Sequence, residues 1–361
     1  MPETLKDRIT RHITVSGPLP LSEFMHWSMA DNKDGYYKSE TVIGSAGDFT
    51  TAPEVSQIFG ELIGIWAILT WQAMDSPTPF NLVELGPGRG TLMQDLLRAV
   101  KTSPEFSKAV QVHLVETSDA LREVQKEKLT GEPGISWHSS LRNIPPAPTI
   151  LIANEFLDVL PFHQYVKVKD KWHERVVGLN EAGDLTFVLS NNTIEASSLA
   201  SGHQDEPEGS IFEIAPTREA FVSNTAEIIA GHGGAALFID YGHAKAGFGD
   251  TFQALREHKF VSPLEAPGKD DLTSHVDFEP LTAIAIANEC TAHPLVTQAD
   301  FLISLGLLER AGHLGRGANS ETQNQIQSDV ERLAGPKQMG NLFKVFAFST
   351  LEKLAPFDAK A

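Results

Sequence analysis

The chain has 361 residues, more than one hydrophobic core usually organises, so one large domain with additions or two domains are expected. At 41% hydrophobic and 21% charged it carries enough apolar material for a packed core and is not a disordered chain. Lys and Arg number 29 against 47 Asp and Glu, a formal charge of −18, which argues against a nucleic-acid clamp because phosphate binding needs a basic footprint, and no basic run stands out. The lone cysteine, Cys290, excludes an intramolecular disulfide framework and a cysteine-based zinc site. Residues 1–11 mix acids and bases and lack a signal peptide's apolar centre, and the most apolar stretch, 58–69, is interrupted by Glu61 and too short to span a bilayer. A cytoplasmic protein without membrane insertion is the expectation.

In chain order, 5–14 and 21–29 read as short helices, the second with Ser22 as N-cap, and a loop over 31–51 is rich in Gly, Asp, Ser and aromatics. Thr51-Ala52-Pro53-Glu54 has capping-box spacing, with Thr51 as N-cap and Glu54 reaching back. The helix that follows sets Val55, Ile58, Phe59, Leu62, Ile63, Trp66 and Leu69 at helical spacing, and Gly60 and Gly64 permit close approach by another backbone. These elements form an expected N-terminal helical cap over 1–79.

From Phe80 the pattern alternates: a strand at 81–85, a Gly-rich turn, a helix at 92–100, a strand at 111–116, a helix at 118–128 and a buried strand at 149–153. Strand, helix and strand again is the grammar of right-handed crossovers over a parallel sheet, so a doubly wound α/β core is expected over 80–260. Within it, about 162–215 holds short strand candidates at 165–168, 172–177, 185–189 and 211–214, an antiparallel insertion broken by the soft segment 197–210. The parallel pattern resumes with a helix at 218–230 and a strand at 235–240. After a piece at 251–255, the block 261–361 completes the core, with a helix near 299–308 and a last strand at 342–348.

Glu84-Leu85-Gly86-Pro87-Gly88-Arg89-Gly90-Thr91 joins a strand end to a helix start, where ligands of open α/β sheets bind. A Walker loop fails for want of a lysine before Thr91, and a dinucleotide fingerprint is weakened because the spacing is G-x-G-x-G. The second strand ends on Glu116, beside the first strand's tip, where a carboxylate can accept both hydrogen bonds of a ribose diol. Glu84, Gly86, Gly88, Gly90 and Glu116 together fit an adenosine ligand with no phosphate, a description that S-adenosyl-L-methionine satisfies. The plainer alternatives are a structural tight turn for the glycines and a solvated strand end for Glu116. Arg89 reads equally as a solvent-facing side chain or a ligand contact.

The string Gly47-Asp48-Phe49-Thr50-Thr51-Ala52-Pro53-Glu54 and the Glu84–Thr91 turn resemble the MidA-like methyltransferases associated with respiratory complex I assembly. So do Asn154-Glu155-Phe156-Leu157-Asp158, Phe238-Ile239-Asp240-Tyr241-Gly242, the block 271–278 and Met339-Gly340-Asn341-Leu342-Phe343-Lys344. The resemblance runs from about residue 20 to 350. It implies a Rossmann-like class I methyltransferase fold using S-adenosyl-L-methionine and, in mitochondrial members, dimethylation of an arginine on a complex I subunit. It also brings Asp48 and Glu54 to the substrate side of the pocket. Mitochondrial members carry an organellar presequence, and the chain shows none, which gives the reading of a bacterial member.

Methyl transfer from a sulfonium is an in-line displacement, so positioning and exclusion of water are the main services a protein supplies. Asn154, Glu155 and Asp158 follow the 149–153 strand and are the acceptor-site candidates. A helical turn there would put Glu155 and Asp158 on one face, and two carboxylates suit a guanidinium's planar fork. The plainer roles are a cap or solvated acid for Glu155 and a turn former for Asn154. Asp240-Tyr241-Gly242 ends another strand at the same edge. Asp277 looks like an N-cap ahead of Pro280, His275 like a structural histidine, and no metal-ligand spacing emerges. The function expected is methylation of an arginine on a protein substrate. The alternatives are a non-catalytic donor-binding assembly factor, a small-molecule methyltransferase and a nicotinamide dehydrogenase.

Overall fold

The computed structural model describes residues 3–38, 51–132, 134–195, 199 and 205–357. The chain divides into two compact units, each assembled from three separate segments: Met1–Phe49, Asp158–Ala220 and Lys245–Asp277 in one, and Thr50–Leu157, Phe221–Ala244 and Phe278–Ala361 in the other.

The larger unit is built on one sheet whose main path is β1 (Phe80–Leu85), β2 (Val110–Val115), β3 (Ile135–His138), β4 (Thr149–Asn154), β5 (Gly234–His243), β6 (Thr291–Ala292) and β7 (Phe343–Ser349). Its spatial order is β3-β2-β1-β4-β5-β7-β6. The pairings from β3 to β5 are parallel, and β7 runs antiparallel to both β5 and β6. Every residue of β1 is buried and only His243 of β5 is exposed, so both faces of the sheet are covered and the strands read as continuous apolar runs. The chain reverses direction of crossover between β1 and β4, and that switch puts the ends of β1 and β4 side by side.

Helix α1 (Gln57–Ala73) packs on α2 (Thr91–Val100) through its glycines. A Cβ on Gly60 would lie 2.6 Å from Asp95 Cβ and one on Gly64 3.0 Å from the Leu96 carbonyl, so the close approach expected from the sequence is present. Glu61 on the same helix is buried but paired, with Arg98 at 3.1 Å and Arg310 at 2.7 Å. The capping box expected at Thr51 does not form. The helix is split into Ala52–Val55 and α1 by Ser56, which is extended (φ −157°, ψ 138°) and caps α1 instead; Thr51 makes no side-chain cap bond. Likewise Pro20, not Ser22, precedes the Leu21–Ala30 helix, which leaves Ser22 inside its first turn.

Across β1, β2 and β3 runs a buried polar chain. His113 Nε2 lies 3.1 Å from Asn81 Oδ1 and its Nδ1 2.9 Å from His138 Nε2, while the Asn81 amide donates to the Pro145 carbonyl. Helix α3 (Asp119–Lys128), capped by the Ser118 hydroxyl, follows β2.

The smaller unit has an antiparallel sheet with path order Leu19–Pro20, Lys171–Leu179, His163–Val168, Ile211–Ile214, and Leu185–Ile194 also pairs with Lys171–Leu179. The expected insertion strands are all there. Helix Leu5–Ser16 contributes Leu5, Ile9 and Ile13 to its core, together with Phe24, Met25, Phe162 and Leu272. Arg218, almost fully buried, donates to the carbonyls of Asp158 and His275. The two helices expected in the cap, Leu5–Ser16 and Leu21–Ala30, belong to this unit, and α1 belongs to the larger one.

Overpacking a backbone-to-backbone contact costs about 1–3 kcal/mol. Gly64→Val is therefore expected to lower the free energy of unfolding in urea by that amount while leaving the far-ultraviolet dichroism native; unchanged stability would show that α1 and α2 can separate freely.

Candidate active site

β1 delivers Glu84 to its C-terminal end, and the turn that follows is left-handed at all three glycines: Gly86 (φ +58°), Gly88 (+52°) and Gly90 (+79°). The reason for glycine differs at each. A Cβ on Gly86 would strike the Phe156 ring at 2.9 Å, and one on Gly90 would touch Gln125 at 3.4 Å, whereas one on Gly88 would meet no protein atom within 4 Å. Gly90 is the N-cap of α2, and its N–H donates to the Pro87 carbonyl at 2.7 Å.

Two acids flank this turn. Glu84 is 3% exposed, and its Oε2 is buried without a hydrogen-bond partner among the described residues. Burial first, and then the nearby charge of Glu116, push its carboxyl up to about 8. Glu116, just past β2, is 8% exposed and so is not a solvated strand end. Its Oε1 accepts from Ser118 N–H at 2.7 Å and its Oε2 from Gln125 Nε2 at 3.3 Å. Burial raises its pKa, opposed by those hydrogen bonds.

β4, hydrogen-bonded beside β1, ends at Asn154. Asn154 Nδ2 donates to Glu155 Oε1 at 2.9 Å, while Asn154 Oδ1 is a second buried acceptor without a partner among the described residues. Glu155 takes a left-handed backbone (φ +50°), and its Oε1 also accepts from Ala52 N–H at 3.0 Å. No helical turn follows. The expected sharing of one helical face by Glu155 and Asp158 is thus corrected: the positive φ ends any helix at its first residue. Asp158 falls in the smaller unit, where its carbonyl accepts from Ser274 N–H and Arg218.

What holds the turn is a residue the sequence placed only loosely. Asp240, at the end of β5, accepts from the Phe156 and Leu157 amides with Oδ2 (3.2 and 2.9 Å) and from Tyr241 N–H with Oδ1 (3.0 Å). Phe156, so fixed, stacks edge-on against Phe221 at 4.8 Å and fills the space under Gly86. The acceptor turn and the glycine turn are thereby one packed object.

Glu54 is exposed and does not close its own cap. It accepts from the Thr91 hydroxyl and lies 3.5 Å from Arg89, and Lys128 donates to Thr91 at 2.5 Å. Arg89 is accordingly an ion-pair partner. Asp48 lies outside the described residues. No group of three or more metal-ligating side chains occurs among the described residues, and none of their helices is long and apolar enough to cross a membrane.

A doubly wound sheet of this order, with a glycine turn and flanking acids, is the architecture of an S-adenosyl-L-methionine-dependent methyltransferase, and residues 62–296 match the family described in those words. The chain belongs to that family, the MidA-like methyltransferases. It is 36% identical to the protein arginine methyltransferase NDUFAF7 of Xenopus laevis, over 93% of this chain and 82% of that one. It is also 36% identical to the Homo sapiens protein of the same name, over 95% and 82%. A crystal structure from Burkholderia thailandensis, described as a likely methyl transferase bound to S-adenosyl-homocysteine, superposes with a TM-score of 0.84 at 24% identity, over 97% of this chain and 92% of that one. The fold class read from the sequence is the fold found. The cytoplasmic location is corrected by the relatives, whose names place them in mitochondria.

The raised Glu84 pKa has a consequence for stability. The native state keeps a proton that the unfolded chain releases near its ordinary value, so this contribution is fully present at low pH and is lost as pH rises towards 8. Glu84→Gln copies the neutral acid. In urea unfolding of the ligand-free protein it is expected to gain about 2 kcal/mol or more on the wild type at pH 8 and far less at pH 5; an equal gain at both pH values would contradict a buried, protonated Glu84.

Proposed function

We propose that this chain transfers methyl groups from S-adenosyl-L-methionine to an arginine of a protein substrate, and that the substrate is a subunit of respiratory complex I. The observation that carries the reading is the pair of unsatisfied buried acceptors, Glu84 Oε2 and Asn154 Oδ1, on the ends of neighbouring strands. A buried acceptor without a donor is costly, and both ligands of this reaction are rich in donors. The arginine and complex I assignments draw on the relatives' activity and on the family resemblance.

The residues fit the donor. Glu84 offers its carboxylate to a cationic amino group, Glu116 to a ribose diol, and the left-handed turn at Gly86, Gly88 and Gly90 lets main chain approach closely where Gly88 has open space around its Cα. When bound, the donor supplies an electrophilic methyl carbon on a sulfonium, with a neutral thioether as leaving group.

On the acceptor side, Asn154 Oδ1 accepts from a guanidinium N–H and the Glu155 carboxylate takes the cationic fork. Glu155 is held for this by Ala52 N–H and Asn154 Nδ2, and its backbone by the Asp240 clamp on the next two amides. Methylation forms an N–C bond while the nitrogen gives up a proton, and the adjacent Glu155 carboxylate stabilises the charge and draws that proton off. Asp158 is left out of this set, and Glu54 acts on Arg89 and Thr91 at the glycine turn.

Three measurements test the proposal. Gly88→Val should abolish S-adenosyl-L-homocysteine binding in calorimetry, since its Cβ enters open space in the ligand's place and a β-branched residue strains the left-handed turn; near-normal affinity would refute the donor site. Glu155→Gln should bind the same compound within about twofold of wild type yet turn over about a hundredfold more slowly; a wild-type rate would remove Glu155 from the reaction. With radiolabelled donor and a cell extract, mass spectrometry should find the label on a protein arginine. Label confined to small molecules, or none at all, would overturn the function.

A further inference from the structure

Gln125 is fully buried on α3, a costly place for an amide unless its polar atoms are bonded. Its Nε2 donates to the Gly88 carbonyl at 2.7 Å and to Glu116 Oε2 at 3.3 Å, and its Oε1 accepts from the Trp137 indole on β3 at 2.9 Å. An indole N–H only donates, so the oxygen end of the amide is pinned to Trp137 and both amide hydrogens face the other way. Resting on the reading that the glycine turn and Glu116 hold the donor, we infer that Gln125 is a positioning residue that locks those two elements in a single geometry, with Trp137 setting its orientation.

The lock acts on one rotatable group in each element. Gly88, at φ +52°, has no side chain to resist rotation of the peptide that follows it. Holding its carbonyl towards Gln125 turns the Arg89 N–H of that trans peptide to the opposite side. Glu116 has one oxygen fixed by Ser118 N–H, and Gln125 fixes the other, so the carboxylate cannot spin and its remaining lone pairs keep one direction. Ordering these groups before the ligand arrives removes that cost from binding. Simple packing of α3 against the turn would need no amide at all.

The test is calorimetric titration of the full chain with S-adenosyl-L-homocysteine. Gln125→Met fills the volume without the hydrogen bonds, and its Kd should rise about tenfold or more. Gln125→Glu keeps the acceptor for Trp137 but donates only when protonated, beside the Glu116 carboxylate. The ratio of its Kd to that of the wild type should therefore fall several-fold between pH 8.5 and pH 6. Binding by Gln125→Met within twofold of wild type overturns the inference, and so does a ratio flat across pH, which is what mere packing gives. If Gln125→Met does not fold, the pH ratio alone decides. Gly88→Val and Glu116→Gln, titrated alongside, separate the two readings: if both bind like wild type the donor site itself fails, and if both lose affinity while the Gln125 variants keep it, only the positioning role falls.

Discussion

A carboxyl group sealed into the end of a buried strand, with one oxygen unbonded among the described residues, is the constraint around which the larger unit is arranged. Glu84 would be cheaper as almost any apolar residue, because β1 is covered on both faces and its neighbour Glu116 is also acidic. Its retention makes sense as a debt to be settled by a cation. In the proposed function the left-handed turn beside it, whose central glycine faces open space, leaves room for the donor's nucleoside.

The rest of the site is scaffolding for two turns. Asp240 grips the turn after β4 through two backbone amides, and Phe156 carries that rigidity across to Gly86. Gln125 performs the matching service on the other side, between the glycine turn and Glu116. Arg89, Glu54, Thr91 and Lys128 form a chain of polar contacts at the start of α2. Both turns are therefore held by side chains from elements other than their own, which is how loops reach the precision that transfer between two small centres demands.

Strands β1, β2 and β4 and helices α2 and α3 are legible because a period of two, a period of 3.6 or an unbroken apolar run, punctuated by glycine, needs no tertiary information, whereas β3, four residues that mix Ser, Trp and His, and the six-residue helix Pro104–Ala109 are too short to show a period. The glycine turn and its acids were legible because the residue types have few other uses at strand ends. Asp240 is 84 residues from the amides it clamps, and nothing local marks that partnership. Gln125 reads as a polar residue on an amphipathic helix, with no hint that its face turns inward. The Thr51 box matched its spacing yet lost to Ser56, since a single extended residue ends one helix and starts the next. The Ser320–Ala334 helix passed unseen because Leu333 is its one buried residue, so its apolar stripe is thin. The composition of each unit, three segments drawn from across the chain, is a property of contacts and leaves no trace in local pattern.

The place of β7 bears on how the molecule is made. It is the last strand in the chain, yet it lies inside the sheet, hydrogen-bonded to β5 on one side and β6 on the other. During synthesis about a hundred residues emerge after β5 before β7, which pairs with Ala235 to Tyr241 of it, exists. An unpaired edge on a strand that is apolar from Ala235 to Ile239 is an invitation to mispairing, and the growing polypeptide is then most in need of a chaperone.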